Sequence, residues 1–198
     1  MATGKDDIVY QTRDVLFAIA LKPDGVYLGQ ITQVSDTAQP YYLWLLNPTT
    51  RSAHELLGGK PVNRGALVVG DAVLWTTDID PNHPVGRGNS FNELLRLNLA
   101  DGTKTTWFEQ PTMSVQLLGL DESNKPLISI WDLGSDPGQT LVVSAPNVTS
   151  QLATQQFTQM MSDSRGLWLG TPGVVLVRPD RSIQKIFAET GALLGPCE

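Results

Sequence analysis

With 198 residues, 41% of them hydrophobic and 17% charged, the chain can bury a core and does not have the composition of a disordered one. Lys and Arg number 14 against 20 Asp and Glu, a net charge of −6 with no basic cluster. This argues against a nucleic-acid partner and an anionic membrane surface. No apolar run approaches the ~20 residues of a membrane-spanning helix, and the lone Cys197 can form neither an internal disulfide nor a Cys-rich zinc site.

The opening MATGKDDIVY has no apolar segment of the signal-peptide kind. Beyond it, turn sequences separate short runs of strand-forming residues, as 18 Gly and 13 Pro lead one to expect. The pattern repeats. Pro23-Asp24-Gly25 leads into Val26–Gly29, then Tyr41–Leu46, a turn at Asn47-Pro48, and Ser52–Leu57. Gly70-Asp71 leads into Val73–Thr76, followed by Leu94–Leu99, a turn at Asp101-Gly102, and Thr103–Phe108. In the second hairpin Leu95, Leu97 and Leu99 alternate with Arg96 and Asn98, and Asp-Gly supplies the positive φ of a tight turn. Asn124-Lys125-Pro126 precedes Leu127–Ile130, Thr140–Val143 and Val148–Leu152. Ser164-Arg165-Gly166 precedes Leu167–Gly170, Val174–Val177 and Ile183–Phe187. Residues 151–161 are the one stretch with helical character, weakened by Thr154 and Thr158.

Aligned on Tyr27, Trp75, Ile128 and Trp168, the units recur about every 45 residues. The expected fold is therefore all-β and propeller-like: four blade repeats forming a single domain over residues 1–198, or a part of a larger propeller. The alternative is a β-sandwich. An N-terminal strand, Ile8–Tyr10 or Val15–Leu21, is expected to close the ring on the fourth unit. An incomplete ring would leave edges open to self-association.

Equivalent loops of stacked units leave on one side. Those after the aligned strands are 30–40, 78–92, 132–139 and 171–173, and the second is the longest and most polar. Within it Asp78, Asp80 and Asn82 alternate, so that their oxygens line one side of an extended segment, a calcium-type metal set. The loop departs from an EF-hand at His83, where the turn glycine belongs, and at Asn89, where the bidentate Glu belongs. Asp and Asn capping their own turns is the plainer account. His83 is a base by type, and Arg87, in Gly86-Arg87-Gly88, is an anion ligand by type. Trp131 ends a strand beside Asp132, where the pair can reach a ligand. The other tryptophans fall within strands and are expected to pack between sheets. His54 reads as a surface residue. No nucleophile elbow or phosphate-binding loop occurs. Asn147-Val148-Thr149 is a glycosylation sequon, which says little about compartment.

The fourth unit, Asp163-Ser164-Arg165-Gly166-Leu167-Trp168-Leu169-Gly170-Thr171 with Gly173 and Arg178-Pro179-Asp180, resembles the two-component-regulator propeller repeat over about a tenth of the chain. The resemblance implies a sensor or ligand-binding ectodomain outside the cytoplasm, or a relative of propeller lactonases and lyases. It transfers no catalytic residue. The expected function is a non-catalytic module binding a ligand or protein through the long-loop face. One alternative is a propeller-type hydrolase, lactonase or lyase whose divalent metal sits on Asp78, Asp80, Asn82 and His83. The other is a structural, self-associating propeller fragment.

Overall fold

A computed structural model describes residues 11–32, 41–60, 66–77, 91–132, 138–189 and 193. They form four four-stranded antiparallel sheets, each a meander of consecutive strands, with no helix among the described residues. The first holds β1 (Val15–Lys22), β2 (Gly25–Ile31), β3 (Tyr41–Asn47) and β4 (Ser52–Lys60). The second holds β5 (Leu67–Val69), β6 (Ala72–Thr77), β7 (Glu93–Asn98) and β8 (Lys104–Glu109). The third holds β9 (Ser114–Leu120), β10 (Pro126–Trp131), β11 (Gln139–Ala145) and β12 (Val148–Ala153). The fourth holds β13 (Gln159–Asp163), β14 (Gly166–Gly170), β15 (Val174–Val177) and β16 (Ile183–Phe187).

This is the propeller-like architecture expected from the repeats, not a sandwich of two facing sheets. Every aligned residue falls on the second strand of its sheet: Tyr27 on β2, Trp75 on β6, Ile128 on β10 and Trp168 on β14. Each unit has four strands, because β5, β9 and β13 precede the aligned ones. Two expectations need correction. Residues 151–161 are not helical. Their ends belong to β12 and β13, whose residues pair as edge and first strands of neighbouring sheets. Val15–Lys22 does not close the ring on the fourth sheet. It hairpins onto β2, with Leu21 opposite Val26, and the fourth sheet takes β13 instead. The other candidate closing strand, Ile8–Tyr10, lies outside the described residues.

The turns on one rim are built by short side chains accepting backbone N–H groups, an alternative to sheet pairing that stops each strand. Asp121 Oδ1 accepts from the amides of Ser123 and Lys125, both at 2.8 Å, between β9 and β10. Asp163 Oδ1 accepts from Arg165 N at 2.8 Å, between β13 and β14. Asn47, Asp101 and Asp180 serve the β3–β4, β7–β8 and β15–β16 turns in the same way. The Arg165 guanidinium also binds the Asp163 carboxylate and is the first cause holding that carboxyl down at about 2.

Because side chains alternate across a strand, each inner sheet buries both faces. One apolar cluster joins the first and second sheets through Leu43, Leu57, Val73 and Trp75. Another joins the second and third through Leu74, Leu94, Ile128 and Val143. A third joins the third and fourth through Leu127, Val142, Leu167 and Leu169. The fourth strands β12 and β16 are mostly exposed and form outer edges.

Candidate functional site

In a meander, connections alternate between the two rims. The tight turns just described occupy one rim, so the links from second to third strands, and from each sheet to the next, leave together on the other. The expected shared face thus follows from the topology. Residues 78–90, with Asp78, Asp80, Asn82, His83 and Arg87, lie outside the described residues. Trp131 and Asp132 are described. Trp131 ends β10, paired with Ser114 of β9, and is partly exposed; Asp132 is exposed beside it. Gly138, with φ 72°, packs closely on this strand end: a Cβ there would lie 3.0 Å from the Trp131 Cβ and 2.6 Å from the Ile130 carbonyl oxygen. His54 lies on β4 and is exposed, as expected.

Two polar groups on this rim escape a motif search. In the first sheet, the Asp14 carboxylate stands just before β1. It accepts hydrogen bonds from Gln30 Nε2, from Thr32 Oγ1 at 3.1 Å and from Thr12 Oγ1 at 3.4 Å. The other end of the Gln30 amide accepts from Trp44 Nε1 at 2.7 Å, so one glutamine links an indole to a carboxylate. The sequence signal was faint: a glutamine that ends an apolar strand.

The second group pins a link between sheets. Ser129 and Thr140, both fully buried, sit opposite each other on β10 and β11. Ser129 Oγ donates to Phe157 O at 2.7 Å and accepts from Phe157 N at 3.0 Å, while Thr140 Oγ1 donates to Gln155 O at 2.9 Å. Gln116 Nε2 donates to Thr158 O at 3.2 Å. Buried backbone groups of a non-strand segment are thereby satisfied by side chains, as they must be away from water. Phe157, 1% exposed, anchors the link in the core.

Tyr41, at the loop-facing start of β3, has its phenol pushed up to about 12 by burial, although the Ala66 amide donates to its oxygen and partly opposes the shift. It is therefore a neutral hydroxyl at physiological pH and no base. Among the described residues, no three His, Cys, Asp or Glu side chains gather into a metal-binding group.

No family model matches the chain, and no curated protein matches it in sequence. Among solved structures, an oligogalacturonate lyase in complex with manganese is similar to it in fold, with a TM-score of 0.65 at 10% identity. The match covers 93% of this chain and 57% of that one, so this chain spans little more than half the length of its neighbour. At that identity the likeness is one of architecture: four propeller-type sheets in series.

Proposed function

We propose that the chain is a non-catalytic binding module whose ligand is held on the rim that carries the long connections. The supporting observation is the segregation of the rims. One is closed by short turns that satisfy their own backbone, while the other gathers the Asp14–Gln30 set, the Trp131–Asp132 pair and the strand ends, Thr77 and Glu93, between which the long polar segment runs in sequence. Sites on repeat scaffolds favour loops of this kind, because rigid sheets position them. The likeness of residues 163–171 to a sensor-protein repeat agrees with this reading and with a location outside the cytoplasm.

A propeller-type lyase is the second reading, favoured by the fold shared with a lyase bound to manganese and by the alternating Asp78, Asp80 and Asn82 beside His83. Calorimetry with oligogalacturonate, with and without manganese or calcium, separates the two. The module reading expects saturable heat without new unsaturated product, reduced at least ~10-fold in affinity, or about 1.4 kcal/mol, by Trp131→Ala with Asp132→Ala. It expects no change from Lys104→Ala on the outer strand β8. Metal-dependent cleavage lost in Asp80→Ala would replace it with the lyase reading. Binding that ignores the loop-rim substitutions would overturn the placement on this rim.

A further inference from the structure

The junction between the third and fourth sheets holds an open cavity on the turn rim, away from the long connections. Its volume is about 80 Å³. That is roughly half of the ~150 Å³ that accepts a benzene ring, so it suits an aliphatic group of about three carbons. The floor is apolar, formed by Leu152 of β12, Leu167 of β14 and Val177 of β15. The walls are charged, and the two signs come from different sheets. Asp121 and Glu122, in the β9–β10 turn, line the third-sheet side. Arg178 and Arg181, in the β15–β16 turn, line the fourth-sheet side.

Both turns hold their charges on a fixed backbone. On the acidic side, Asp121 Oδ1 accepts from the amides of Ser123 and Lys125. On the basic side, Arg181 N donates to Arg178 O at 2.8 Å, and Pro179 presets the bend between them. The Asp180 carboxylate is taken up by Ser182, accepting from its amide at 2.9 Å and from its hydroxyl at 2.6 Å. The Arg178 guanidinium donates to the neutral Gln184 Oε1. The β11–β12 turn shows why space opens here. There Asn147, at φ 57°, donates from its amide across to Trp107 O of the preceding sheet at 2.8 Å. Arg181, at the matching position with φ 65°, donates within its own turn instead, and the space beside β12 stays open.

We infer that this cavity is a second binding site, for a small aliphatic α-amino acid. The ligand's carboxylate lies against Arg178 and Arg181, its ammonium group against Asp121 and Glu122, and its side chain on the apolar floor. Contacts in which both partners are charged are the stronger hydrogen bonds, and a guanidinium suits a carboxylate in particular. A ligand of one sign meets one attracting and one repelling wall, whereas a zwitterion complements both. The fixed turns reduce the ordering that binding requires. The inference is independent of the loop-rim reading, since it uses the opposite rim.

Titration with L-valine, followed through backbone amide resonances, tests it. Saturable shifts are expected at Ser123 and Arg181, with Trp131 on the other rim unmoved. Isovalerate, which lacks the ammonium group, and isobutylamine, which lacks the carboxylate, are expected to bind at least ~10-fold more weakly. Arg181→Gly removes a guanidinium at a positive-φ position, and Gly102 at φ 72° in the second sheet shows that glycine suits this turn. The variant is therefore expected to keep its far-ultraviolet spectrum while losing at least ~10-fold in affinity for L-valine. Glu122→Gln removes a charge at nearly constant shape, and it is expected to weaken L-valine by a similar factor without weakening isovalerate. Absence of a saturable shift with L-valine would overturn the inference. Isovalerate binding as tightly as L-valine would overturn it too, by reducing the site to one for anions. So would an unchanged affinity in Arg181→Gly, which would place the amino acid elsewhere.

Discussion

Tyr27 and Tyr41 carry phenols into the junction between the first and second sheets, and both are raised from 10 to about 12. Burial is the main cause in each case. Tyr27 is raised further by its hydrogen bond to the Asp24 carboxylate at 2.7 Å and by that group's charge. A folded-state pKa above the unfolded one means that the neutral phenol stabilises the fold. That contribution is complete below pH 10, declines between pH 10 and 12, and is gone above it. Urea unfolding followed across this window should show a falling midpoint, and Tyr27→Phe with Tyr41→Phe should flatten the fall. An unchanged slope in the double variant would mean that other groups govern alkaline unfolding. At this scale the sequence was partly legible. Asp101-Gly102 and Asp24-Gly25 announce turns because their chemistry is local. The Asp14 carboxylate does not announce its partners, because Gln30, 16 residues away, reaches it only once β1 and β2 have paired.

Strands were legible where alternation and a turn coincide. All four second strands and their partners through the fourth strand follow from that combination. The strands β5, β9 and β13 were not read from the sequence, the first and last for identifiable reasons. β5 has three residues, and β13 reads Gln-Met-Met-Ser-Asp, with no alternation to betray it. Register was harder still. Tyr27 and Trp168 face forward along the series, whereas Trp75 and Ile128 face backward, so an alignment on bulky residues finds the strand and misses the face by one position. Turn geometry offers a test at this scale. Gly166 has φ 135°, and a Cβ there would overlap the Val177 carbonyl oxygen of the adjacent strand, a neighbour fixed by pairing. Gly102, at φ 72°, has nothing within 4 Å of such a Cβ. Gly102→Ala should therefore cost about 1 kcal/mol, the conformational term alone. Gly166→Ala should cost more, because strain adds to it. Chemical denaturation of the two variants compares them directly, and equal losses would show that the β14–β15 pairing yields to the extra methyl group.

Across the whole molecule, stability should rise toward the middle of the series, because the second and third sheets have a neighbour on each side. β10 is buried along nearly its whole length, while β16 is exposed at every residue. In a linear stack, each unit is stabilised by its own pairing plus its interfaces. A unit with one interface opens at lower free energy than a unit with two. Amide hydrogen exchange should accordingly be slowest in β6 and β10, and faster in β1 and β16. Leu127→Ala, at a side chain 0% exposed in the junction of the third and fourth sheets, should cost about 2–5 kcal/mol. If the junctions transmit stability, it should also speed exchange in β14, across the interface. Protection that is uniform across the four sheets would mean that they unfold as one unit.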